Sequence, residues 1–175
     1  MQPTALDHFI ESAREGWDGL TTSNVIRLRR LLQDLAKTSA EEPWLAQIHA
    51  DRPDMVELYT DPEHGFRLLA HTEPRGLYRA PHDHGFGWVL YALQHGALEM
   101  STYQSITDKR GETRLVSRGC DTLNPGDCRV FLPGDIHDTK CVSDYIVQFR
   151  LTSSDFKLEK KEGRMIQYLD QGNMA

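Results

Sequence analysis

Cysteine is scarce in this chain of 175 residues, and the three present, Cys120, Cys128 and Cys141, form no CxxC pair. Such an odd, sparse set argues against a disulfide framework, and each cysteine reads as a small buried or half-buried apolar residue. Long apolar runs are missing too: nothing approaches the ~20 residues that span a bilayer. The opening stretch MQPTALDHFIESAREGW carries acids early and lacks an apolar signal-peptide core, so the expected location is the cytoplasm. No Lys/Arg-rich tract stands out, and the net charge is −6, which gives nucleic acid no basic footprint to meet. There is no internal repeat and no low-complexity tract. What is there is an ordinary globular composition, 39% hydrophobic with three tryptophans, and a length that predicts a single domain over residues 1–175.

The texture divides that domain into a helical part, 1–52, and a β-barrel, 53–175. Leu6, Phe9, Ile10, Ala13 and Trp17 recur at helical spacing over 4–17. Thr21, Thr22 and Ser23 offer N-caps for a second helix running to about Thr38, with Val25, Ile26, Leu28, Leu31, Leu32 and Leu35 as its stripe. A short third helix is expected from Glu42 to His49, with Pro43 near its start. After Asp51-Arg52-Pro53, short apolar runs alternate with turns: FRLLAHT, LYRAPHDH, WVLYALQ, LEMSTYQSI, DCRVFL, YIVQFRL and RMIQYL. This spacing predicts a sandwich or barrel. Asn124-Pro125-Gly126-Asp127 and Leu132-Pro133-Gly134-Asp135 are turns in which Pro presets φ and Gly accepts a positive one. Lys160 to Gly163 reads as a hairpin tip before a final strand.

Two segments carry chemistry. In GLYRAPHDHGFGWVLYALQHG, residues 76–96, strand alternation puts His82 and His84 on one face, where two imidazoles can chelate one metal ion. In GDCRVFLPGDIH, residues 126–137, a second glycine-framed strand supplies His137. An HxH pair alone is weak evidence, but the glycine framing and the third histidine strengthen it. The pattern resembles the two cupin motifs. Gly76, His82, His84 and Gly96 fit G(X)5HXH(X)3-4E(X)6G, and Gly126, Gly134 and His137 fit G(X)5PXG(X)2H(X)3N, with Pro133 displaced by one position. Val89 stands at the motif's glutamate and Cys141 at its asparagine. The resemblance implies a cupin jelly-roll (double-stranded β-helix) preceded by N-terminal α-helices. It also implies a metal on His82, His84 and His137, Fe(II) first, with Zn, Ni and Mn as alternatives. Without a carboxylate ligand such a site keeps open positions for an anionic substrate and O2.

Three-histidine cupins with N-terminal helices are similar to the thiol dioxygenases, the cysteine and 3-mercaptopropionate dioxygenase group. The likeness covers the PHDH sequence, the helical N-terminal third and the closing DFKLEKKEGRMIQYLD. That family often carries a cysteine–tyrosine crosslink at the glutamate position, which Val89 precludes here. Gln148 stands at the histidine and Arg150 at the tyrosine of its Ser-x-His-x-Tyr run. Its carboxylate-binding residue would fall near Val56–Leu58, where Glu57 is the one polar side chain. His71, Arg79 and Met165 fall on pocket-lining positions. The resemblance thus implies substrate binding by Arg79, Gln148, Arg150 and Met165, and catalysis by His71, Tyr91 and Arg150. Two arginines suit a small anionic substrate, thiols included, oxidised with O2.

Duller readings stand beside these. The face bearing Gln148 and Arg150 is also readable as solvated. Arg79 turns toward His82 only if the strand bulges. His71 is equally readable as a core histidine and Met165 as core filler, while His8, His49, His64 and His95 read as surface residues. Trp88 should pack on the helices and Tyr91 should share the inward face of Val89. Asp83 points away from the metal, toward a hydrogen-bond partner or toward solvent. Two other functions compete with the dioxygenase. One is a cupin lyase, isomerase or hydrolase using its metal as a Lewis acid. The other is a non-catalytic small-molecule-binding cupin. The expected assembly is a monomer or homodimer, with no nucleic-acid or membrane partner.

Overall fold

Thr4 begins the first helix through a reciprocal cap: its hydroxyl accepts from the Asp7 N–H at 3.1 Å, and the Asp7 carboxylate accepts from the Thr4 N–H at 2.9 Å. The computed structural model describes residues 2–168. Three helices come first: α1 (Ala5–Glu15), α2 (Thr22–Ala36) and α3 (Pro43–Asp51). Thr21 caps α2 by accepting from the Asn24 N–H. Pro43 opens α3, where its missing N–H costs nothing, and Arg52 closes it in the left-handed region at φ 45°. All three helices match the sequence expectations to within about two residues, the usual uncertainty at helix ends.

Nine strands follow among the described residues: β1 (Val56–Thr60), β2 (Arg67–Pro74), β3 (Tyr78–His82), β4 (Val89–His95), β5 (Leu98–Thr107), β6 (Thr113–Leu123), β7 (Cys128–Phe131), β8 (Ile136–Cys141) and β9 (Tyr145–Thr152). They form a five-stranded sheet ordered β1-β2-β9-β4-β7 and a four-stranded sheet ordered β3-β8-β5-β6. Every pairing is antiparallel. This mainly β architecture, two facing antiparallel sheets behind N-terminal helices, is the double-stranded β-helix expected from the motifs. Turns at Gly126 (φ 90°) and Gly134 (φ 84°) close as foreseen, with Asp127 N–H donating to Asn124 O and Asp135 N–H to Leu132 O.

The five-stranded sheet is buried on both faces, which explains its unbroken apolar runs. Along β4, Leu90 and Ala92 join a core with Leu28 and Leu32 of α2 and Leu45 of α3. Val89, Tyr91 and Leu93 point the other way, into a core between the sheets with Leu98, Met100, Phe131 and Ile146. Trp88 packs on the helical side as expected, its ring 5.6 Å from that of Trp17, which in turn stacks on Phe66 at 4.3 Å. Along β9, Val147, Phe149 and Leu151 face the helices. Gln148 and Arg150 therefore face the space between the sheets and not solvent.

Three expectations need correction. Lys160 to Gly163 is no hairpin tip: Phe156–Lys161 forms helix α4. Asp155 caps it by accepting from the Lys157 N–H, and Gly163 ends it at φ 69°. The segment after it adds a single bridge, Gln167 to His82, in place of a full strand. Leu169 and Asp170 of that run lie outside the described residues. Cys120 is exposed on the edge strand β6, whereas Cys128 and Cys141 are buried, and all three are free thiols. His49 and His95 are half-buried. His49 bridges the Tyr145 hydroxyl at 3.0 Å and the Gln94 amide oxygen at 2.9 Å, tying α3 to the sheet. Among the described residues no helix is long and apolar enough to cross a membrane.

Candidate metal centre

His82 ends β3, His137 pairs with it across β8, and His84 follows two residues on, in the loop leading to β4. Their ring centroids stand 5.1, 4.7 and 5.0 Å apart, a near-equilateral triangle. The ligand atoms of the three lie within 4.8 Å of one another. The surroundings hold each ring. His82 Nδ1 donates to the Ala80 carbonyl at 2.8 Å, which leaves Nε2 as the free lone pair. Phe131 stacks on His137 at 3.9 Å, and Phe156 lies 4.9 Å from His84. His84 Nε2 sits 3.2 Å from the Tyr91 hydroxyl.

These histidines fit a metal on two counts. His84 Nδ1 and both nitrogens of His137 are buried without a hydrogen-bond partner among the described residues, a costly arrangement that a bound cation relieves. All three rings are also held neutral, and a neutral ring keeps its ligand lone pair. Burial pushes His84 down to about 3, aided by the neighbouring His82 ring and by the Arg150 charge. Burial first, then His82, His84 and Arg150, drives His137 well below the usual histidine range. Burial lowers His82 as well, against the opposing pull of the Ala80 carbonyl. Val89 is fully buried at the place of the motif's glutamate, and among the described residues no carboxylate joins the cluster.

Two of the three, His82 and His84, line a cavity of about 730 Å³ whose walls also include His71, Arg79, Val89, Tyr91, Arg150 and Met165; His137 is buried and off that wall. Five of the expected pocket residues, His71, Arg79, Tyr91, Arg150 and Met165, therefore do line it. Arg79 reaches it because β3 shifts register between Arg79 and His82, the bulge its inward turn required. Pro81, with no N–H to give the ladder, lies inside that irregularity. Arg150 spreads its guanidinium 5.2 Å above the Tyr91 ring. Gln148 is the exception. Its amide N–H donates to Glu73 at 3.2 Å, and it is buried outside the cavity wall. Asp83 turns away from the triad and accepts from the Gly85 and Ile166 N–H groups, both at 3.0 Å, anchoring the last described segment to the metal loop.

Glu73 escaped the sequence reading. It is fully buried on β2, two residues beyond His71, and one oxygen accepts from Arg79 at 2.7 Å, Arg150 at 2.9 Å and Gln148 at 3.2 Å. The signal was alternation: Leu69, His71 and Glu73 share the inward face of one strand. Arg67, Lys157 and Lys160 on the cavity wall were missed as well.

His71 gives a stability prediction. Burial, then the charges of Arg150 and Arg79, lowers it to about 2. The unfolded chain therefore takes up the proton first as pH falls. The stabilising contribution is complete above the ordinary histidine value of 6.5 and declines below it, by ~1.4 kcal/mol per pH unit, down to about 2. Urea unfolding of metal-free protein at pH 7.5 and 5.5 should show this loss, and His71→Gln should shrink it by ~1 kcal/mol. Equal losses in both proteins would mean that His71 is protonated in the folded state.

No family model matches the chain, and no curated protein matches it. Solved structures similar to it include the cupin domain of Cnp3 from Schizosaccharomyces pombe, at 10% identity over 63% of this chain and 66% of that one, with a TM-score of 0.46. KdgF from Halomonas sp. is similar at 19% identity over 56% of this chain and 74% of that one, TM-score 0.43. A single-substitution variant of oxalate decarboxylase from B. subtilis is similar at 18% identity over 62% of this chain and 25% of that one, TM-score 0.43. The chain thus spans just under two thirds of the first and a quarter of the third. Each likeness is one of fold.

Proposed function

We propose that this chain is a non-haem Fe(II) dioxygenase that oxidises a small anionic substrate, with thiols among the candidates, in the manner of the thiol dioxygenases. The observation that carries the reading is a cluster of three neutral imidazoles with no carboxylate among the described residues, two of them, His82 and His84, on the wall of a cavity that bears two arginines. Iron held by His82, His84 and His137 would supply the electrons and the positions at which O2 and a substrate donor atom meet. The chain's own side chains do the rest. Arg79 and Arg150 take the substrate's anionic group and counter charge that builds on it. Glu73 fixes both guanidiniums from behind, so their direction is set before substrate arrives. Tyr91, whose phenol burial keeps in its protonated form, can hold or pass a proton beside His84. His71 Nε2, buried and without a partner among the described residues, is an acceptor on the same wall. Val89, Phe156 and Met165 form an apolar lining that limits water.

The test pairs metal analysis of protein purified without added metal with oxygen uptake by the Fe(II)-loaded form against small thiols and carboxylates. Iron near one per chain and substrate-dependent uptake that His82→Ala removes are the expected results. Tightly held zinc or nickel with no uptake across the panel would favour Lewis-acid chemistry instead. Failure to take up any metal on reconstitution would end the proposal.

A further inference from the structure

The cavity is larger and more cationic than one anionic headgroup requires. At about 730 Å³ it extends from His82 and His84 to a rim built by β1, β2 and α4. Its charges fall into two groups. At the inner end Arg79 and Arg150 share the single carboxylate of Glu73, which leaves one positive charge in surplus. At the rim Arg67 is paired twice, with Glu57 at 3.3 Å and Asp155 at 3.0 Å. Beside it on the same wall, Lys157 and Lys160 of α4 take part in none of the ion pairs among the described residues. Two lysines and one arginine against two carboxylates again leave one positive charge in surplus. A cavity with surplus positive charge at both ends, in a chain of net charge −6, is a local arrangement and not a spill-over of overall charge.

We infer that the substrate carries two anionic groups, one taken by Arg79 and Arg150 beside the triad and a second taken by Lys157 and Lys160 at the rim. The inner half rests on the function proposed above; the rim half does not. A dicarboxylate, or a carboxylate bearing a sulfonate or phosphate at its far end, meets this description. An ammonium at the far end does not, because like charges would meet.

Isothermal titration of the purified protein with glutarate and with butyrate tests this, since the two differ by one terminal carboxylate. Glutarate should bind about tenfold tighter, the scale of one charge-assisted contact. In Lys157→Gln/Lys160→Gln the preference should fall to about twofold while butyrate affinity stays unchanged. Both lysines are exposed, so the fold tolerates the change. Lys109→Gln/Lys140→Gln, exposed positions outside the cavity wall, alters net charge equally and should preserve the preference. Butyrate binding without a preference for glutarate would overturn this inference and leave the proposed function standing. A preference that survives the α4 substitutions would overturn the rim site. Failure of both acids to bind would overturn the anionic-substrate reading, and this inference with it.

Discussion

Replacing His137 with leucine is expected to abolish tight metal binding and yet leave the metal-free protein close to wild-type stability. His137 is fully buried, and neither ring nitrogen has a hydrogen-bond partner among the described residues. In the metal-free fold it is therefore a cost, since each unmet buried polar atom disfavours folding by ~1–3 kcal/mol. Leucine removes that cost and fills most of the ring's space against Phe131, at a packing penalty of ~1–2 kcal/mol. The two effects have opposite signs and similar size. With metal they no longer compete: the wild type gains about RT ln(1 + [M]/Kd), and the variant gains almost nothing. Losing one of three ligands should weaken binding by more than the ~100-fold that follows loss of a partner outside the ligand set. Thermal melts with and without added Fe(II) or Zn(II) read both quantities. Wild-type protein should rise in Tm with metal and His137→Leu should not. A variant that loses most of its stability without metal would show that His137 holds the core directly.

The reasons why His137 was legible and its neighbours were not are physical. The motif glycines mark positive-φ turns, at Gly76, Gly96, Gly126 and Gly134, so their spacing fixes where strands begin and end. Pairing across β3 and β8 then aims His82 and His137, whereas His84, expected on the same strand face as His82, reaches the cluster from the loop that follows β3. The helices were legible because capping and the 3.6-residue stripe agree, as at Thr21 with Leu28 and Leu32. Strand β6 carries neither signal. Almost every residue from Thr113 to Leu123 is exposed, and its backbone ladder to β5 holds it in place. The α4 segment misled because Gly163 serves a helix end as readily as a hairpin. Arg79 depended on a bulge whose presence Pro81 permits but whose position alternation alone does not give. Gln148 was aimed correctly between the sheets, but Glu73 takes its amide before the cavity does. Glu73 itself lies among residues that read as a plain buried strand, and only its pairing with two arginines from β3 and β9 shows what it does.

Glu73→Ala is the substitution with the largest expected effect on stability. Its carboxylate is fully buried and is the shared partner of Arg79, Arg150 and Gln148. Removing it leaves the Arg150 guanidinium, whose side chain is only 15% exposed, without its counter-charge, together with an unmet amide. Breaking a buried pair from one side costs ~3–5 kcal/mol. Arg79 adds less, because its side chain is 40% exposed and water can replace the lost contact. Glu73→Gln keeps the volume and one acceptor, so it should cost less than alanine does, while still removing the charge. The companion experiment removes both sides of the pair. In Glu73→Gln/Arg150→Met the stranded guanidinium is gone, and the double variant should be more stable than the sum of the single effects allows, by ~1–3 kcal/mol. Urea denaturation of the four proteins reads that coupling. Anion binding separates support from mere folding. Glu73→Gln should still bind butyrate, because Arg79 and Arg150 keep their charge, but wild-type geometry is lost and oxygen uptake should fall further than affinity does. Additive stability effects and an unchanged ratio of uptake to affinity would mean that Glu73 fills space and positions nothing.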